Sequence, residues 1–188
     1  MVTVLLGLAL TGCGSDDAPE TSGDGDASAG LSVEDCAVRL PDSVLTTLGW
    51  ASAGQVEVGA ADTCELAADA GDLRVRRLPM APQDGEELAD SAQTVYDDRC
   101  AGLDAGQQPG GESPTPAAGE VVDWLSTDVT ACAVLSPDGQ GINELVVLSG
   151  ETVGDFWVVA DDVVEPELVR EALDQLVSAA VPTFTPGG

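Results

Sequence analysis

Thr130–Gly150 reads TACAVLSPDGQGINELVVLSG. Two apolar runs flank Pro137-Asp138-Gly139, three residues suited to a tight turn, so the stretch is expected to form a β-hairpin. DFWVVA, from Asp155 to Ala160, follows closely as a further strand. Upstream, DTCELAADAGDLRVRRLP (Asp62–Pro79) reads as another hairpin, turning at Asp69-Ala70-Gly71-Asp72. Short turns between strands dictate antiparallel pairing.

Helical patterns lie around these runs. VEDCAVRL and PDSVLTTLG (Val33–Gly49) read as one helix broken at Pro41, or as two short ones. Asp35 or Asp42 is the expected cap, and Gly49 is placed to end the segment. DGEELADSAQTVYDDRCAGL (Asp84–Leu103) reads as a helix capped by Asp84, with Glu86 and Glu87 at its positive end. Leu88, Ala92, Val95 and Tyr96 share one of its faces. Gly106–Gly119 is a Pro/Gly loop. Pro166–Ala180 is a helix with Pro in its first turn and Leu168, Val169, Ala172, Leu173, Leu176 and Val177 on one face. Helices and strands fall in separate runs. The expected fold is therefore α+β, an antiparallel sheet of about five strands with helices packed on one face. Each half also runs from Cys through helix or loop to a second Cys at a hairpin strand, a hint of an internal repeat.

The chain has five cysteines, so at least one lacks a partner within a monomer. The odd one is Cys13. Before it, Val2–Leu10 (VTVLLGLAL) is nine apolar or small residues. As a helix these rise only ~14 Å, under half of a ~30 Å hydrocarbon core, which excludes a finished membrane span but suits the apolar stretch of a secretory signal. No Lys or Arg precedes the run, so a basic n-region is expected upstream of Met1 in a longer reading frame. Ser15–Gly30, SDDAPETSGDGDASAG, lacks aromatic and large apolar residues and is expected to be a disordered acidic tether spanning ~20–25 Å.

Leu10-Thr11-Gly12-Cys13 resembles the lipobox of bacterial lipoproteins. That resemblance implies cleavage of residues 1–12, a diacylglyceryl group on Cys13, a tether over 13–30 and a globular domain over 31–188. Two acyl chains hold a protein stably at a membrane where one is marginal. The broader arrangement resembles actinobacterial envelope lipoproteins of unknown function, whose domain opens with a cysteine motif followed by Leu. Glu34-Asp35-Cys36-Ala37-Val38-Arg39-Leu40 and Thr63-Cys64-Glu65-Leu66 carry the likeness. It implies an extracytoplasmic, membrane-anchored domain without known catalysis.

An exported chain meets an oxidising environment, so Cys36, Cys64, Cys100 and Cys132 read as two disulfides. Three connectivities exist. Cys36–Cys64 with Cys100–Cys132 is favoured, because each pair closes one contiguous helix-to-strand unit. Zinc is disfavoured, since no two cysteines show knuckle spacing.

Net charge is −28, with six cations, all Arg. Phosphate backbones and anionic lipid surfaces would be repelled, so no nucleic-acid partner is expected. Ala, Gly, Asp and Val abound, as GC-rich codons produce, which accounts for the acidity more simply than a salt-rich habitat. The chain contains no His and no Lys. It therefore supplies no Ser-His-Asp or Cys-His system, no His-ligated metal site, no P-loop lysine and no Schiff base. Carboxylate chemistry, or no chemistry, remains.

Arg74, Arg76 and Arg77 hold half of all cations and form a candidate anion site, or else neutralise nearby acids. Asp161, Asp162, Glu165 and Glu167 crowd the last helix's start, a candidate divalent-cation site or else simply acids suited to a positive helix end, the favoured reading. Asp24, Asp26, Ser28 and Asp35 show calcium-loop spacing, but Ala29 stands where the turn needs Gly. No metal or cofactor is expected. The leading expectation is a non-catalytic, lipid-anchored domain that binds an envelope protein or small ligand. The alternative is a carboxylate-dependent hydrolase acting on cell-wall glycan.

Overall fold

The structure, a computed structural model, describes residues 31–80, 82, 85–103 and 120–184. Cys13, the leader, the tether with its calcium-like spacing, Asp84 and the 106–119 loop lie outside the described residues.

Pro41 divides the first helical stretch in two. Helix α1 (Val33–Arg39) starts with a reciprocal cap: Ser32 Oγ accepts from the Asp35 N–H, and Asp35 Oδ2 accepts from the Ser32 N–H at 3.0 Å. The cap is thus Ser32, with Asp35 as its partner three residues on. Helix α2 (Asp42–Leu48) follows Pro41 and stops at Gly49, whose φ of 72° gives the left-handed turn that ends helices. Then come strands β1 (Ser52–Val58), β2 (Thr63–Ala68) and β3 (Gly71–Arg77), helix α3 (Leu88–Leu103), strands β4 (Glu120–Val121), β5 (Thr130–Val134), β6 (Gly141–Ser149) and β7 (Thr152–Ala160), and helix α4 (Pro166–Ala180).

The fold is α+β, and all seven strands form one antiparallel sheet in the order β1-β2-β3-β7-β6-β5-β4. The expected count of about five strands is corrected to seven. The added strands are the two edges. β1 carries Gly54 and slips register between Ser52 and Val56, so it shows no alternation. β4 is two exposed residues.

The expectation that helices share one face is also corrected. On the first face, Leu73, Val75, Leu145, Val147, Phe156 and Val158 pack against α1, α2 and α4. On the second face, Ala92 and Tyr96 of α3 cover Cys132, Val146 and Val153. Neighbouring residues on a strand point to opposite faces, so the unbroken run Leu145-Val146-Val147 requires cover on both. Each buried Val, Leu or Phe contributes ~1.5–3 kcal/mol relative to exposure. The first face holds most of them, so it carries the fold.

Between β5 and β6, Pro137-Asp138-Gly139 forms the expected turn, with Gly139 at φ 72° and its N–H bonded to the Ser136 carbonyl. Asn143, fully buried, braces it. Its Oδ1 accepts from the Ser136 N–H, and its Nδ2 donates to the carbonyls of Gly139 and Val158.

The internal repeat is architectural. α1–α2 lead into the meander β1-β2-β3, and α3 leads into β4-β5-β6. In the sheet these meanders flank β7, placing β3 opposite β6 and β2 opposite β5. Each unit bridges its helix to its middle strand: Cys36–Cys64 joins α1 to β2, and Cys100–Cys132 joins α3 to β5, with Cα atoms 5.1 and 6.0 Å apart. The favoured connectivity is the one formed.

Candidate functional site

The charged residues of the apolar strands converge on the second face. Register sets Arg76 on β3 opposite Asp155 on β7, and Trp157 on β7 between Arg74 on β3 and Glu144 on β6. Helix α3 lowers Arg99 onto this row. Asp155 is fully buried and accepts hydrogen bonds from Arg76 Nη2 and from Arg99 Nη2 at 3.1 Å. Arg99 Nη2 also donates to Glu144 Oε1 at 2.6 Å. The Arg76 guanidinium lies 5.3 Å from the Trp157 ring centre, a cation–π contact, and its Nε is buried without a hydrogen-bond partner. A buried ion needs partners on most of its polar atoms. Here two carboxylates and two guanidiniums share four ion-pair and hydrogen-bond contacts under one helix.

Burial pushes the Glu144 carboxyl above the usual carboxylate range, and Asp155 adds to this; Arg99, the Trp157 N–H and Arg76 oppose it. The sign follows from linkage. A carboxyl whose folded pKa is raised favours folding fully below its unfolded pKa, and that contribution disappears as pH rises through the folded value. Glu144→Gln mimics the protonated form. Its urea midpoint is expected to gain on the wild type between pH 4 and pH 7; a constant offset across that range would show that the Glu144 charge carries no cost.

The RVRR cluster does not converge. Arg74 Nε pairs with Asp72 at 2.7 Å, nearly half-exposed. Arg76 is bound to Asp155 in the buried network. Arg77 follows Leu73 and Val75 onto the first face, away from the other two. Asp161, Asp162, Glu165 and Glu167 are exposed, and Glu165 caps α4 through its backbone position without a side-chain bond. Among the described residues no three His, Cys, Asp or Glu side chains gather in a way that could hold a metal.

Beyond the edge of α3 no described helix packs on the second face. Glu57, Glu65, Asp72 and Arg74 wall a shallow hollow of about 270 Å³ over β1–β3, floored by Gly54 and Ala67. A second hollow, also about 270 Å³, lies in the 122–129 loop, where Ser126 donates its N–H and its hydroxyl to Asp174 of α4. The charged side chains of the first are acidic apart from Arg74.

Asp155, Glu144, Arg99 and Trp157 were not singled out by sequence reasoning. A signal existed: a single charge inside an apolar strand, as in INELVVL and GDFWVV, demands a buried partner. The partner's identity depends on strand order, which no local pattern contains. Comparisons with known protein families, characterised proteins and solved structures find no match to this chain.

Proposed function

We propose that this chain is a lipid-anchored extracytoplasmic lipoprotein whose folded part is a non-catalytic binding domain. One observation carries the reading. The other four cysteines pair with one another, leaving Cys13 as the odd thiol, and it stands directly behind an apolar run at Leu10-Thr11-Gly12. A cysteine so placed matches the acceptor of a diacylglyceryl group. Two disulfides agree with folding in an oxidising compartment. The acidic tether would hold the domain clear of the membrane, leaving the part of its second face beyond α3 available to an envelope protein or small ligand.

A glycan hydrolase would need two carboxyls facing a cleft, ~5–9.5 Å apart. Glu144 and Asp155 are both engaged by arginine and line neither hollow. The carboxyls that share a hollow are Glu57, Glu65 and Asp72 over β1–β3, where Asp72 is paired with Arg74; this is where the alternative, a carboxylate-dependent hydrolase, would have to act.

Expression in a bacterium with lipoprotein maturation tests the anchor. The wild type should take up labelled fatty acid and sediment with membranes, while Cys13→Ser should lose the label and become soluble. A native product with an unmodified Cys13 thiol would overturn the reading.

A further inference from the structure

β1 is one edge of the sheet, and among the described residues no strand pairs with its outer side. Its first half is irregular: register slips between Ser52 and Val56, and the Ser52 hydroxyl donates to the Gly54 carbonyl. Val56–Val58 is regular, paired residue for residue with Leu66, Glu65 and Cys64. Gly59 donates its N–H to the Thr63 carbonyl at 2.7 Å, on the β2 side. Backbone direction alternates along an antiparallel strand, so Glu57 also bonds toward β2, while Val56 and Val58 direct their N–H and C=O groups outward. Such an edge is a template for another strand, and proteins blunt it with Lys, Pro or a bulge. Val56–Val58 carries none of these.

The two sides of this edge differ in chemistry. Val56 and Val58 lie opposite Leu66 and Cys64, which belong to the core of the first face, so both valines face that way. Val58 is nonetheless 38% exposed, lacking an apolar neighbour beyond the edge. Glu57 points to the second face, directly opposite Glu65. Like charges so placed destabilise a strand pair. Arg74, opposite Glu65 on the other side, is paired with Asp72, and among the described residues neither glutamate forms an ion pair. The hollow over β1–β3 reaches this edge, since Gly54, Gln55 and Glu57 of β1 line it.

We infer that the outer edge of β1 takes up an extended segment of a partner protein as an added strand, one in which Lys or Arg alternates with apolar residues. Main-chain bonds to Val56 and Val58 supply affinity, and alternate side chains supply specificity. The cationic side chains reach Glu57 and Glu65 on the second face; the apolar ones cover Val58 on the first. A second copy of this chain is the wrong occupant, because its own β1 adds another Glu57 and a net charge of −28 repels it. The inference rests on the reading of the folded part as a binding domain and names the partner's chemistry. It does not require the anchor at Cys13.

The test is fluorescence anisotropy of a labelled peptide alternating Lys and Val, titrated with the full chain at near-physiological salt. A peptide of the same composition with its lysines in one block controls for bulk attraction to an acidic protein. Saturable binding is expected for the alternating peptide, and roughly tenfold weaker binding for the block peptide. Glu57→Lys should weaken the alternating peptide by a similar factor. Glu151→Lys, the same charge change at the exposed β6–β7 turn, should leave it nearly unchanged. Val58→Pro deletes an outward N–H without touching the β1–β2 ladder, and should abolish binding in a protein whose circular dichroism is that of the wild type. Equal binding of the two peptides, equal effects of the two Lys variants, or unchanged binding by folded Val58→Pro overturns the inference. So does a dimer, seen by sedimentation, that Val58→Pro abolishes. Acylation of Cys13 is scored separately, so loss of peptide binding in an acylated protein sinks this inference alone and leaves the anchor standing.

Discussion

Replacing Asp155 by Asn is expected to lower the free energy of unfolding by about 3–5 kcal/mol. Asp155 is fully buried and holds two guanidiniums, Arg76 from β3 and Arg99 from α3. Asparagine keeps the volume but removes the charge, and its amide can donate where only acceptors are wanted. Two cations would then remain beneath α3, with only Glu144 near them. The cost comes from stranding those cations, since the ion pairs themselves carry a desolvation penalty that offsets much of their attraction. A quadruple replacement of Arg76, Glu144, Asp155 and Arg99 by apolar residues of similar volume, which strands no charge, should therefore cost much less than Asp155→Asn alone. Urea unfolding of both proteins checks this. A loss under about 1 kcal/mol for the single variant would show that water reaches the network and screens it.

Removing the Cys36–Cys64 bridge as a double alanine variant is the second large expected effect. The bridge spans 28 residues, which the chain-entropy treatment converts to about 3.5 kcal/mol. Both cysteines are fully buried in the main core, so truncation adds a cavity cost. The loss should approach the whole stability of an ordinary domain, about 5–15 kcal/mol at most. Cys100–Cys132 spans 32 residues and removes similar entropy, but its removal should have a different outcome. α3 buries only Ser91, Ala92 and Tyr96, so its attachment leans on this bridge and on Arg99. Without the bridge, amide exchange should quicken along α3 while α4 and the central strands stay protected. Uniform quickening across the domain would mean that α3 belongs to the same cooperative unit as the main core.

Much of this fold was legible in local patterns. Pro41 splits the first helix because proline removes a donor and restricts the residue before it. The face Val169, Ala172, Leu173, Leu176 and Val177 marks α4 and is buried throughout. Asp69–Asp72 and Pro137–Gly139 gave both hairpins, and chain order gave the disulfide pairing. The misses have a common cause. β1 is an exposed edge, so no alternation was imposed on it. α3 carries a weak apolar face, so its side of the sheet could not be read from it. Arg74, Arg76 and Arg77 are contiguous in sequence, yet pleating divides them between faces, and β7 supplies the acid that Arg76 binds.

The sequence by itself determined what short-range chemistry decides: the turns, the helix stops, the apolar faces, the acid excess, and an odd cysteine behind an apolar run. Only the tertiary structure decided which charges meet. β7 enters between β3 and β6 although about 75 residues separate it from β3 in the chain, and that insertion joins Arg76, Asp155 and Glu144 under Arg99. Long-range pairing of this kind is selected by the simultaneous burial of both sheet faces, a property of the whole chain that no window of residues contains.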